Sequence, residues 1–422
     1  MPAADDSPAR PARPRRLTRA ALVGFGVVWL WSTAFHARVP HAAALIALGL
    51  LVMLEFRARA PWLGVRREFV ATLVGFARRP DFALPLVLLA AYALPLAYTD
   101  DRDWLLRQLS TGVQLLVVPI VFYRFRENLA RHGRTWQAAL VALAVLAAAA
   151  VLPYTLTHAE VLVVALGQGR AVPTPVGHVP FAALLAFAAV TAAHLAVMSA
   201  SRGERLFAGL AGVTIAITLH AITVRTGLVL LYVGLAAYAL RALGRRYGVA
   251  RAGVAVVLAC AVFASVAVQL PSVAKKVEYA RYELEGLTTG RELSDYSDGG
   301  RVLSLRAAAQ LIRERPVLGA SREGPEPAMR RAYAEQGAPP LHLPTTQYVY
   351  SYVRAGLAGL LGVLAVLLAP TFARGWRRQP LLAETMLMLA LWFLVETPLE
   401  NDLSAGLALG ALYLAKTAGG RG

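Results

Sequence analysis

The sequence predicts an all-α polytopic membrane protein with about a dozen transmembrane helices and a large, partly helical loop on the external face. Composition is the first reason: 57% of the residues are hydrophobic and only 16% are charged, with a mean hydropathy of +0.54. A soluble domain of this size exposes far more charge. The second reason is length. The apolar runs extend over roughly 17–22 residues each, enough to cross a hydrocarbon core of about 30 Å as helices. Helix follows because backbone polar groups in lipid must be satisfied within the segment. No ten-residue alternating pattern points to a barrel. The third reason is the placement of arginine between the runs.

The spans are expected at 19–36, 40–56, 82–98, 107–124, 135–153, 179–199, 205–221, 224–241, 251–270, 347–369, 381–396 and 402–416. Residues 1–18 are rich in Pro, Ala and Arg and read as a disordered cytoplasmic tail. The run that follows has no small-residue cleavage site and is taken as a retained first helix. This divides the chain into the tail 1–18, nine spans within 19–270, a large loop at 271–346, and three spans with a cytoplasmic C-terminus within 347–422. Between spans two and three, Phe69 to Ala77 is too short to cross and suits an interfacial helix.

Orientation comes from the loops. Arginine clusters fall in alternate connections: Arg15/Arg16, Arg57 to Arg79, Arg124 to Arg134, Arg202/Arg205, Arg241 to Arg251, and Arg374/Arg377/Arg378. The intervening short loops are poor in Lys and Arg, and two of them, Thr99 to Asp103 and Glu396 to Asp402, are acidic. The positive-inside rule then puts both termini in the cytoplasm and residues 271–346 outside. The net charge of +18 therefore belongs to membrane topology. It forms no basic face with interleaved aromatics, which argues against nucleic acid as a partner. Cys260, the single cysteine, lies in an apolar run and reads as a packing residue.

The external loop is too long for a simple connector and is the expected seat of function. Arg301 to Arg315 reads as a helix with Val302, Leu305, Ala308, Ala309 and Ile312 on one face, ended by Pro316 and Gly319. Leu284 to Gly300 reads as a polar loop. No internal repeat of the transporter kind is evident. Histidines are scattered and no cysteine cluster or HExxH pair offers a metal site. A Walker-type loop is likewise absent, so an external enzyme of this kind must use a substrate that is already activated.

Four stretches of the chain stand out chemically. Arg225, in His220-Ala-Ile-Thr-Val-Arg225-Thr226-Gly227, sits at the external end of a span. It reads either as a snorkelling arginine or as a cation binding phosphate at the membrane edge. Guanidinium suits the second task through its bidentate fork and permanent charge. Arg301 and Arg306 open the loop helix and diverge by about 140° around it, so they do not face one ligand together. His342, between Pro339-Pro340 and Pro344, is held near the next span, where a neutral imidazole can serve as a base or orient a hydroxyl. Glu396, Glu400 and Asp402 read as solvated carboxylates, of which one could assist a base.

Taken in order, these segments resemble the O-antigen ligase and polymerase superfamily, most closely the lipopolysaccharide O-antigen ligases. Arg225-Thr226-Gly227 is similar to the family's Arg-Ser/Thr-Gly at a helix start. Gly300-Arg301 to Arg306, followed by Glu314-Arg315-Pro316-Val317-Leu318-Gly319, resembles an Arg-x-x-x-Trp helix leading to Pro-Leu-x-Gly, with Leu305 in place of the tryptophan. His342 and the following Arg354-Ala355-Gly356-Leu357-Ala358-Gly359 resemble the family histidine before a Gly-x-x-Gly helix. The resemblance implies transfer of a glycan from undecaprenyl pyrophosphate to a sugar hydroxyl of lipid A–core, by a GT-C type membrane glycosyltransferase needing no metal or cofactor. It implies catalytic roles for His342, Arg225 and Arg301, and substrate contacts from Arg170, Arg306 and Glu396. An O-antigen polymerase and a protein O-oligosaccharyltransferase are the alternatives within the superfamily. A polysaccharide or lipid transporter is the alternative outside it.

Overall fold

The structure is a computed structural model that describes residues 16–35, 38–56, 63–97, 99, 102–167, 172–269, 271–289, 297–320, 322–339, 343–373 and 375–417. The N-terminal tail through residue 15, Arg170 and His342 lie outside the described residues. The first part of the chain forms α1 (Arg16–Ala34), α2 (Arg38–Met53), strands β1 (Leu54–Phe56) and β2 (Leu63–Val65), α3 (Phe69–Ala77), α4 (Pro80–Ala83), α5 (Pro85–Ala93), α6 (Arg102–Gly112), α7 (Gln114–Arg131), α8 (Gly133–Thr157) and α9 (Ala159–Gly167). Then come α10 (His178–Met198), α11 (Arg202–Ile222), α12 (Arg225–Tyr247), α13 (Val249–Ala267), α14 (Pro271–Thr289), α15 (Ser297–Glu314), α16 (Pro325–Glu335), α17 (Gln347–Leu368), α18 (Pro380–Val395) and α19 (Asp402–Thr417). Among the described residues the only sheet is the β1–β2 hairpin, paired antiparallel with Leu54 opposite Val65.

The chain is thus all-α and polytopic. Among the described residues, six helices are long and apolar enough to cross a membrane: α8, α10, α11, α12, the 249–266 part of α13, and α17 with its short extension. Four shorter apolar helices, of 10–17 residues, come from α1, α2, α5 and α18. Two expected spans take a different form. The 82–98 span is broken by its prolines into α4, α5 and a 3-10 turn at Leu94–Ala97, since a proline ring cannot continue the hydrogen-bond ladder. The 107–124 span straddles two helices, α6 and α7, which meet at Val113.

At the centre lies α10, packed by α8, α11, α12, α18 and α19. Its run of Ala182, Ala183, Ala186, Ala188, Ala189 and Ala192 is fully buried. Small side chains let neighbours approach at the backbone. On α12 two glycines use that space. A Cβ on Gly227 would lie 2.5 Å from the Ala182 Cβ, and one on Gly234 would meet both Val190 of α10 and Met388 of α18.

Beyond the bundle, α14, α15 and α16 occupy the 271–346 segment. The expected loop at 284–300 is shorter than the sequence suggests, because α14 continues to Thr289 and α15 starts at Ser297. The buried face of α15 shares Ala308 and Ile312 with the expected one but is otherwise rotated from it. Ser304, Ala307, Ala308 and Leu311 face inward, at the i, i+3, i+4, i+7 spacing of one helix stripe, and pack against Ala328, Met329, Ala332 and Tyr333 of α16. Leu305 is 37% exposed. Counting the larger aliphatics misplaced the face because small residues let α15 and α16 pack closely. Arg331 of α16 clasps the connection by pairing with Glu323 at 2.8 Å, and that contact raises its pKa.

One end of α17 is built around a break. Ala355 (φ −134°, ψ 20°) and Gly356 (φ 60°, ψ −150°) leave helical geometry. The gap is filled by residues 316–320: the Ala320 N–H donates to the Val353 carbonyl at 2.6 Å, and the Leu357 N–H donates to the Val317 carbonyl at 3.1 Å. The Tyr352 hydroxyl donates to the Pro316 carbonyl at 2.7 Å. A buried backbone break needs such partners. Gly319 (φ 61°) lies against the Val353 and Tyr352 carbonyls, and Gly359 leaves room for the Ser351 carbonyl. The Pro-x-x-Gly stretch after α15 and the Gly-x-x-Gly stretch of α17 are thus two halves of one backbone joint.

Candidate functional site

Arg225 is placed by a strained turn. Thr223 (φ 49°, ψ 38°) closes α11 in the left-handed region and is the one non-glycine with positive φ among the described residues. A β-branched residue there is an outlier, worth of order 1–3 kcal/mol of strain. Its hydroxyl is buried without a hydrogen-bond partner. Val224 is extended, and Arg225 is then the first residue of the 23-residue α12. The guanidinium therefore starts from a helix N-terminus, where free N–H groups and the helix dipole already favour anions. Two residues on, Gly227 locks the turn against α10. His220 is fully engaged: Nδ1 lies 2.7 Å from the Ala216 carbonyl and Nε2 2.8 Å from the Tyr232 hydroxyl. Since a carbonyl only accepts, Nδ1 carries the proton and Nε2 accepts from Tyr232.

The antiparallel packing of α12 on α18 fixes which end of α18 Arg225 lies toward. Gly234 faces Met388, and further along Arg241 pairs with Glu384 at 3.0 Å. Nine residues back from Gly234 is Arg225, and nine residues on from Met388 is Thr397. Arg225 and the end of α18 therefore lie toward the same end of this helix pair.

Glu396 in turn meets the loop helix. Its Oε1 lies 3.5 Å from Arg301 Nη2, with side chains 29% and 33% exposed. Burial raises the Glu396 carboxyl above the ordinary glutamate value, and Arg301 acts against that rise. A carboxyl with a raised folded pKa contributes stability that is present below its unfolded value and lost as pH rises through the folded one. The ionised form is thus held here at some cost. Arg306 is exposed on another part of α15, so Arg301 alone of the two approaches the α18 end. Replacing Glu396 by glutamine is expected to remove an acidic limb from the pH–activity profile. In the unsubstituted protein that limb begins above the usual glutamate pKa of 4.5. Steady-state rates between pH 4 and 8 check it, and an unchanged limb in Glu396→Gln would reassign the titration.

The loop after Glu396 is anchored from below, by residues whose grouping the sequence does not reveal. The Gln347 N–H donates to the Glu396 carbonyl at 3.0 Å. The Gln347 side chain accepts from the Leu399 N–H at 2.9 Å and donates to Glu400 at 3.0 Å. Glu400 Oε2 pairs with Arg354 Nη1 at 2.6 Å, its Oε1 accepts from the Tyr92 hydroxyl at 2.5 Å, and the Arg354 guanidinium sits 3.7 Å over the Tyr92 ring. Arg354 is 2% exposed and the Glu400 side chain 11%. The expectation of a solvated Glu400 is therefore corrected. One signal was available, an arginine inside an apolar span, which demands an interior partner.

No group of three or more His, Cys, Asp or Glu that could hold a metal occurs among the described residues. The candidate site is instead the Arg301–Glu396 pair between α15 and the end of α18, with Arg225 opening α12 toward the same end of the bundle. It suits a dianionic group with several acceptor oxygens.

Comparison with known families finds a match in the second half of the chain. Residues 210–348 fit the O-antigen ligase family, about a third of the chain. The matched region runs from within α11 to the start of α17 and holds Arg225, Arg301, Arg306, Gly319 and His342, while Arg354, Gly356 and Glu396 fall beyond it. No curated protein matches the chain. The match supports a place in the O-antigen ligase and polymerase superfamily.

Proposed function

From the O-antigen ligase domain that the chain carries, we propose that the protein is a lipopolysaccharide O-antigen ligase of the bacterial inner membrane. It takes a glycan from undecaprenyl pyrophosphate and transfers it to a sugar hydroxyl of lipid A–core on the periplasmic face. Both termini then lie in the cytoplasm, and the 271–346 segment is periplasmic. The observation that supports this reading is the Arg301–Glu396 pair at the end of α18, toward the same end of the bundle as the start of α12, where Arg225 stands.

The chemistry follows from the charges. The acceptor oxygen attacks the anomeric carbon, and the bond from that carbon to the pyrophosphate oxygen breaks with its electron pair going to phosphate. Arg225, aided by the α12 N-terminus, and Arg301 stabilise that growing charge in a site partly shielded from water. His342 takes or orients the acceptor proton, giving direct displacement with inversion. Its chain neighbour Leu343 packs on the α15–α16 cluster. Arg170 and Arg306 are assigned supporting contacts to phosphate or core sugar, and Glu396 the orientation of Arg301. The energy comes from the pyrophosphate ester, so no nucleotide is consumed.

The test is a purified-component reaction with lipid-linked glycan, chelator present and nucleotide absent. Product on lipid A–core, with none on a second lipid-linked glycan, is the expected result. Chain extension on the lipid-linked glycan instead would make the protein a polymerase.

A further inference from the structure

A second basic site lies at the arginine-rich end of the molecule, away from the site above. Arg66 follows β2 and Arg124 lies on α7. Their residues are 7% and 8% exposed. Arg66 Nε donates to the Leu51 carbonyl at 3.1 Å, while its Nη2 is buried without a hydrogen-bond partner, as is Arg124 Nε. Burial lowers the Arg66 pKa, and the nearby Arg124 cation adds to that, with Glu55 and Glu68 opposing. Arg124 Nη2 reaches Glu68 at 3.4 Å, but that carboxylate is 49% exposed, so the pair is well screened. Two buried guanidinium groups that repel one another and keep unused donors require an acceptor-rich anion.

What adjoins them is apolar. A cleft between α1, α2, α7 and α8 is lined by Leu22, Leu45, Leu48, Val117, Val121 and Leu129, with Trp29 and Trp136 at its walls. Gly49 of α2 lies beside Val117. Arg124 follows Val117 by seven residues, two turns along the same face. The charged pair and the cleft therefore share one side of α7. Beside them α3 packs on α7, with Gly75 against the Tyr123 hydroxyl, and exposes Val70, Leu73 and Val74. This short helix, bare on one apolar face, marks the depth at which lipid headgroups lie.

We infer that Arg66, Arg124 and the adjoining cleft form a binding site for an anionic phospholipid, whose phosphate meets the two guanidinium groups and whose acyl chain enters the cleft. Basic pockets between membrane helices at headgroup depth recognise phosphate in this way. The free phosphate ion shares the polar chemistry but leaves the cleft unused, and the lipid satisfies both halves.

The test uses the full chain in detergent and the quenching of its tryptophans by phosphatidylglycerol or phosphatidylcholine with brominated acyl chains. Half-maximal quenching is expected at a mole fraction at least about fivefold lower for phosphatidylglycerol, the factor that one arginine near a headgroup supplies. Arg66→Gln with Arg124→Gln should abolish that preference, and Arg67→Gln, at an exposed neighbour, should keep it. Val117→Phe fills the cleft without touching either arginine, and should weaken quenching by phosphatidylglycerol even where the double variant folds poorly. Equal quenching by both lipids, a preference that survives the double variant, or one that survives Val117→Phe would overturn the proposal. So would its loss to millimolar inorganic phosphate, which would leave an ion site only.

Discussion

Arg225→Ala is expected to lower glycan transfer by about 10²–10³ or more, the range seen when one preorganised donor to a developing oxyanion is removed. Membrane insertion and protein level should stay normal. Arg225 is the first residue of α12 and is only partly buried, so alanine removes the cation and leaves the Gly227–Ala182 contact untouched. Arg225→Lys keeps a charge but loses the bidentate fork. It is expected to recover part of the rate, whereas a purely structural arginine would be rescued in protein level and nowhere else. Transfer rates at saturating donor, beside quantified membrane protein, separate the two cases.

The second large effect is on the joint between the loop domain and α17. Gly356→Ala places a Cβ 1.8 Å from the Val317 carbonyl oxygen, at a φ of 60° and ψ of −150°. That backbone region is essentially reserved for glycine, and occupying it costs of order 1–3 kcal/mol before any clash. The Cβ cannot be accommodated unless residues 316–320 withdraw, which breaks the Ala320–Val353 and Leu357–Val317 hydrogen bonds. The expected outcome is loss of folded protein, or a loop domain detached from α17 and cut by protease between α15 and α16. Alanine at Leu357, a 45% exposed neighbour, should be tolerated. A normal thermal transition and protease resistance in Gly356→Ala would show that the break is not held by this joint.

These two residues also show what the sequence makes legible. Apolar run length and alternating arginine identify a helical membrane protein because lipid imposes both patterns locally. Arg225 is noticeable for the same reason, a cation at the edge of an apolar run. The glycines of α17 and Gly319 can be recognised as a motif, but their physical role cannot be seen. The contact joins residues some 40 apart and rests on backbone angles that carry no sequence mark. Glu400 and Arg354 were read separately, one as solvated and one as part of a motif, since only the tertiary fold places Tyr92 and Gln347 around them. Leu305 lies off the packed face for a simpler reason: on α15 that face is set by the stripe of Ala307, Ala308 and Leu311. Thr223 gave no signal at all, because the strain that sets the start of α12 is a matter of conformation.

The central claim is that Arg225 and Arg301 bind the donor's pyrophosphate. The most direct measurement is equilibrium binding of undecaprenyl pyrophosphate, without glycan or acceptor, to the purified protein and to the Arg225→Ala and Arg301→Ala variants. The account predicts affinity at least about tenfold weaker in each variant, the 1.4 kcal/mol or more expected of a charge-assisted contact, with undecaprenol bound equally by all three. Equal pyrophosphate affinity in wild type and both variants, all correctly folded, would contradict it.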